Sequence, residues 1–156
     1  MPFPSREEMS ALRCAGISQA ILMVHPLKAV DTTEGRRAFV LAVEDRFGDV
    51  VDLLAWLTDD PAACWTLEGR AVLLGESALD EATLDPGVVV HRTPLAWLAD
   101  GCTGIVILDR AKAWRRLAEA HALIAEDVDH AREVQRLAAP PAATVFVRSP
   151  DHKVAA

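Results

Sequence analysis

Four acidic positions near the end of this chain come closest to a chemical pattern: Asp109, and the run Glu126-Asp127-Val128-Asp129 with its three carboxylates. Carboxylates gathered where strands end can hold Mg²⁺ through one or two oxygens, leaving water and a phosphate to complete the coordination shell. On that reading Asp109, Glu126, Asp127 and Asp129 form a divalent-metal site acting on a phosphoryl substrate, and Mg²⁺ is the only cofactor implied. The same residue types have a second use that needs no ion. Acids in the first turn of a helix accept hydrogen bonds from its free N–H groups and face the positive end of its dipole. Capping is the expected role here, and with it no cofactor.

The elements that must position these acids are legible as a pattern. Gly104-Ile105-Val106-Ile107-Leu108, Ala122-Leu123-Ile124-Ala125 and Thr144-Val145-Phe146-Val147 are short apolar runs of the kind found in buried strands. Between them, Arg110–Ala120 and Val128–Ala138 repeat apolar residues at helical spacing. The alternation predicts a parallel β-α-β-α-β unit with strands at 104–108, 122–126 and 144–148. Trp114, Leu117, Val134 and Leu137 are expected to face the sheet. Right-handed crossovers would bring Asp109 and Glu126-Asp127 to one edge of neighbouring strands, the edge where open α/β sheets place their ligands.

Ahead of this unit the signals are shorter. Ser5-x-x-Glu8 reads as a capping box for a helix that stops at Gly16. Ile17–Val24, ending at His25-Pro26, is expected to be a strand because the proline disfavours helix before it. Arg37–Glu44 alternates Phe39, Leu41 and Val43 on one face, and Val50–Leu57 returns after the turn Asp45-Arg46-Phe47-Gly48-Asp49, which predicts a hairpin. Asp60-Pro61 suits the start of a short helix ending at Gly69, and Thr93-Pro94 the start of another over Leu95–Ala99. A brief strand at Val72–Leu74, a helix over Glu76–Leu84 and a strand at Val88–His91 complete the reading. The fold class expected is α/β: a single domain over residues 1–156, with a mixed sheet that takes the hairpin on one side and the parallel unit on the other.

Composition narrows the function classes. With 51% apolar and 25% charged residues, the chain of 156 residues suits a folded globular domain. No apolar run approaches the ~20 residues of a membrane span. The first residues are acidic where a signal peptide would be basic and then apolar, so the cytoplasm is the expected compartment. Cys14, Cys64 and Cys102 form no Cys-x-x-Cys pair, which argues against a disulfide framework or a zinc site. No phosphate loop, nucleophile elbow or His-Glu-x-x-His is present.

Net charge is −7, and the span Glu44–Asp85 holds eleven acids against Arg46 and Arg70. Direct nucleic-acid binding is not expected, since no basic stripe is available to neutralise phosphates. An acidic surface carrying Asp49, Asp52, Asp59 and Asp60 instead suits a basic protein partner. The function expected is a non-enzymatic accessory or interaction protein, compatible with a homodimer. The enzyme-class alternative is the metal-dependent phosphoryl-transfer site above.

Three resemblances bear on these expectations. Leu123-Ile124-Ala125-Glu126-Asp127-Val128-Asp129 resembles the opening of response-regulator receiver domains, whose acids after the first strand hold magnesium. It also resembles the Asp-x-Asp segment of the toprim fold in primases and topoisomerases. A receiver would need far more chain than the 27 residues that follow Asp129, and a lysine where Arg148 stands. A toprim domain would need a glutamate where Asp109 stands. As a whole the chain resembles small proteins of proteobacterial prophages and other mobile elements, in Asp52-Leu53-Leu54-Ala55-Trp56-Leu57, Cys64-Trp65-Thr66-Leu67-Glu68-Gly69 and Arg92-Thr93-Pro94-Leu95-Ala96-Trp97-Leu98. That last resemblance implies no particular activity.

Overall fold

The computed structural model describes residues 5–25, 27–32, 35–81 and 87–141. Two short helices lead, α1 (Arg6–Cys14) and α2 (Gln19–Val24). The capping box is present. The Ser5 N–H donates to the Glu8 carboxylate at 2.7 Å, and the Glu8 N–H donates to the Ser5 hydroxyl at 3.4 Å. Gly16 ends the turn at φ +86°, a left-handed conformation that costs glycine least. Where a strand was expected at Ile17–Val24, the chain is helical. The Ser18 hydroxyl accepts from the Ile21 N–H and starts α2, which buries Leu22. A short apolar run fits strand or helix equally by periodicity, and the serine cap tips it.

Four strands, β1 (Lys28–Asp31), β2 (Arg37–Glu44), β3 (Val50–Leu57) and β4 (Cys64–Thr66), form an antiparallel sheet in that order. The expected hairpin is its centre, with Phe39 opposite Trp56 and Leu41 opposite Leu54. These four side chains are buried, as period-2 alternation requires. The helix expected after Asp60-Pro61 is instead a turn, with the Ala63 N–H donating to the Asp60 carbonyl at 3.0 Å, followed by β4. The edge of β3 explains the outcome: its backbone groups need partners, and β4 pairs them through Leu54–Thr66 and Trp56–Cys64.

The rest of the described chain is β5 (Leu73–Leu74), α3 (Ala78–Glu81), β6 (Val88–His91), α4 (Pro94–Ala99), β7 (Ile105–Ile107), α5 (Trp114–Leu117), β8 (Leu123–Ala125) and α6 (Val128–Ala138). Its strands form a second sheet in the order β5-β7-β6-β8, with β6, β7 and β8 parallel and β5 antiparallel to β7. The protein is therefore α/β, with the antiparallel hairpin and a parallel β-α-β-α-β unit. That unit begins at β6, one strand earlier than the spacing suggested. The hairpin belongs to a sheet of its own. The strand expected at 144–148 lies outside the described residues, as do positions 82–84 of the helix expected over Glu76–Leu84. Only one turn of the helix expected at Arg110–Ala120 forms. Leu117 and Val134 are buried against the sheet and Leu137 packs beside them. Trp114 is only half-buried, stacked under the Arg115 guanidinium, and Ala113 takes the buried position.

Two cores sandwich the second sheet. The first joins Phe39, Leu41 and Trp56 of the antiparallel sheet to Leu12, Leu74, Trp97 and Val106. The second lies on the opposite face, where Leu73, Val90 and Ile105 meet Leu117 of α5 and Val134 of α6. Helix α4 thus packs on one face of the sheet and α5 on the other.

Candidate functional site

Because β6, β7 and β8 are parallel, His91, Ile107 and Ala125 end them on one edge, and the residues that follow meet there. The central position belongs to Arg92, which sequence reasoning had not singled out for this edge. Its Nη2 donates to both Asp127 oxygens, at 2.8 and 2.7 Å, its Nε lies 3.3 Å from Glu126 Oε2, and its backbone N–H donates to Glu126 Oε1 at 3.0 Å. Charge-assisted hydrogen bonds of this kind are the strong ones, and with one guanidinium shared between two carboxylates Arg92 ties the end of β6 to the end of β8. Asp127 also caps α6, accepting from the His130 N–H at 2.8 Å. That N–H first, and the Arg92 charge after it, hold the Asp127 carboxyl below the usual range.

Asp109 is elsewhere. Strand β6 separates β7 from β8, so the ends that carry Asp109 and Asp127 are about two strand spacings apart, roughly 9–10 Å. The expectation that these ends are neighbours is corrected by the strand order. Asp109 is occupied locally: its Oδ1 accepts from the N–H groups of Ala111 and Lys112, and its Oδ2 lies 2.8 Å from Lys112 Nζ. The Lys112 bond is the main reason its carboxyl sits low. Asp129 pairs with Arg132 at 3.0 Å on the outer side of α6. The structure therefore brings Glu126 and Asp127 together on Arg92 and leaves Asp109 and Asp129 apart. Among the described residues, no group of three or more His, Cys, Asp or Glu side chains is arranged to hold a metal ion.

Beside this edge a cavity of about 210 Å³ is lined by His91, Arg92, Arg110, His130 and Glu133, with Ile107, Val134 and Leu137 beneath them. Arg110 pairs with Glu133 across it, and that bond holds the Glu133 carboxyl below its ordinary value. His130 is 4% exposed. Its Nδ1 accepts the Glu126 N–H at 3.2 Å, which leaves the ring proton on Nε2. No sequence motif marks this group: Arg92, Arg110 and His130 come from three different segments, and only the strand order unites them.

The four acids considered for partner binding are also dispersed. Asp49 is exposed in the β2–β3 turn, whereas Asp59 and Asp60 are exposed beyond the other end of β3. Eight residues of strand, about 26 Å, separate the two groups. Asp52 is not on the surface at all. It is 5% exposed, with its two oxygens accepting from the N–H groups of Leu53, Glu68, Arg70 and Ala71 at 2.8–3.2 Å. Its place in a shared acidic patch is thus corrected by burial.

A different surface lies between them. The outer face of the antiparallel sheet carries Val30, Val40, Leu53, Ala55, Trp65 and Leu67 around a groove of about 680 Å³. None of these six belongs to either core. Trp65 is 45% exposed and Leu67 69% exposed. Contiguous apolar surface of this kind marks binding faces far more often than single exposed side chains do.

Comparison with protein-family models, curated proteins and solved structures gives no match for this chain.

Proposed function

We propose that this protein is an interaction module whose contact surface is the apolar groove on the outer face of β1–β4, and that its partner is a protein segment with an apolar side and basic flanks. The observation that supports the reading is the groove itself, a four-strand apolar face to which no described helix contributes a lining residue. The choice of a basic partner rests on the net charge of −7. At the groove's margins the exposed acids Asp31, Asp59 and Glu68 each share an arginine, Arg37, Arg36 and Arg70 in turn, so a basic flank would have to exchange with one of them. A second copy laid flat on the face fits less well. Four strands about 4.8 Å apart, with about four residues of each contributing, offer roughly 250 Å². A standard interface takes about 800 Å² per partner. A single segment seated in a groove relies on anchoring side chains rather than on area.

Photo-crosslinking in host lysate tests this. A photoreactive residue at Ala55 or Leu67 should capture a partner whose crosslinked peptide is apolar with flanking Lys or Arg. The same residue at Val128, exposed on α6, should not. Crosslinks from Ala55 only to a second copy, or only to residues 142–156 of the same chain, would replace the proposed partner with that occupant. An acidic or purely polar crosslinked peptide would overturn the reading.

A further inference from the structure

We infer that the crevice at the carboxyl ends of β6 and β7 is a binding site for a phosphate-class oxyanion, held by Arg110, Arg92 and His130. Its position follows from topology. The chain leaves β6 for β7 on one side and then crosses to β8 on the other, so α4 and α5 pack on opposite faces. Strand ends at such a reversal leave a crevice that neither helix fills, and open α/β sheets bind ligands there. In this chain the crevice is the cavity of about 210 Å³, large enough for a phosphate with a small attached group.

Its lining supplies donors. Helix α6 turns His130, Val134 and Leu137 toward the sheet, a stripe on which an apolar residue would pack at 130 without polar cost. The residue there is a buried histidine whose Nδ1 is used by the Glu126 N–H. Among the described residues its Nε2–H has no acceptor, and the ring lines the cavity. Arg110 uses Nη1 on Glu133, which leaves further guanidinium donors. Arg92 stands on the opposite wall, fixed by Glu126 and Asp127.

The charges facing the site set the terms of binding. Glu126 and Asp127 already neutralise Arg92, and Glu133 occupies Arg110. An entering oxyanion therefore competes with Glu133, the only one of these three acids that lines the cavity. Removing that carboxylate should strengthen binding at Arg92, Arg110 and His130 alone, whereas non-specific attraction would be shared with arginines far from the cavity.

The experiment is a titration followed by backbone amide shifts, at constant ionic strength, with inorganic phosphate, glycerol 3-phosphate and succinate as probes. Saturable shifts are expected at Arg92, Arg110 and His130 with both phosphates. The tighter of the two tells free phosphate from a phosphomonoester. Glu133→Gln should tighten phosphate at least threefold and Arg110→Gln weaken it at least threefold, the same spectra reporting that each variant is folded. Non-saturating shifts, shifts shared with distant Arg13 and Arg70, or an affinity indifferent to Glu133→Gln would overturn the site. Equal binding of succinate would overturn its assignment to a phosphate-class ligand.

Discussion

A carboxylate can be buried when hydrogen bonds fill its oxygens, and Asp52 meets that condition with backbone N–H groups alone. Burial by itself would raise its pKa. The N–H groups of Glu68, Ala71, Arg70 and Leu53 outweigh that and hold it at about 2. Asp52 therefore fixes the path from β4 to β5, the segment that joins the two sheets. Asn in its place offers one acceptor oxygen and sets an NH₂ against donors, so Asp52→Asn should destabilise the fold by about 2–3 kcal/mol, the cost of stranding buried N–H groups. The pH dependence has a definite sign. The folded pKa is below the ordinary value of 3.8, so the charged form's contribution is complete above about pH 4 and is lost as the pH falls toward 2. Urea unfolding of wild type and variant should show a constant gap between pH 5 and 8 that narrows below pH 4. A gap that stays constant to pH 2 would mean the carboxylate charge is not the cause.

At the scale of elements, the parallel unit depends on one close approach. Gly104 immediately precedes β7 at φ +73°, and a Cβ there would collide with the carbonyl of Val89 on β6. Gly104→Ala should cost more than about 2 kcal/mol, since left-handed strain alone reaches 1–3 kcal/mol and the clash adds to it. Its amide-exchange protection should fall first in β6 and β7, and an unchanged melting temperature would refute the account. The same elements show what was legible in the sequence. The β2–β3 hairpin and α6 could be read because their apolar residues keep one period over eight residues or more. Strand β4 could not: three residues, Cys64–Thr66, are a strand only because the β3 edge needs a partner. Helix α2 and its six residues turn on a single serine cap. At the candidate site, Asp127 was legible as a helix-start residue, and the structure uses it so; Asp109 instead closes the turn ahead of α5, and Glu126 is held by Arg92. Arg92 and His130 were not legible, because their meeting depends on β6 lying between β7 and β8, and no local spacing encodes a strand order.

For the molecule as a whole, the antiparallel sheet has two apolar faces with different work. Its inner face, through Phe39, Leu41 and Trp56, closes the core against the second sheet. Its outer face, through Val40, Ala55 and Trp65, lines the groove. A sheet whose other face meets water would show polar residues there; β2 and β3 instead keep Val40, Ala42, Leu53 and Ala55. Trp56 and Trp65 stand on opposite faces, with Ala55 pairing with Trp65 and Trp56 with Cys64. Truncating one should damage the fold and truncating the other the surface. Trp56 is 1% exposed, so Trp56→Ala should cost about 3–5 kcal/mol, the range for deleting a buried aromatic ring. Trp65→Ala should cost under about 1 kcal/mol, because nearly half of the ring is already in water. The second variant should nonetheless lose the crosslink made from Ala55, and with a bound partner the wild-type Trp65 fluorescence should shift to the blue. If Trp65→Ala instead unfolds the protein as readily as Trp56→Ala, the outer face is a third layer of the core and the groove is not a docking surface.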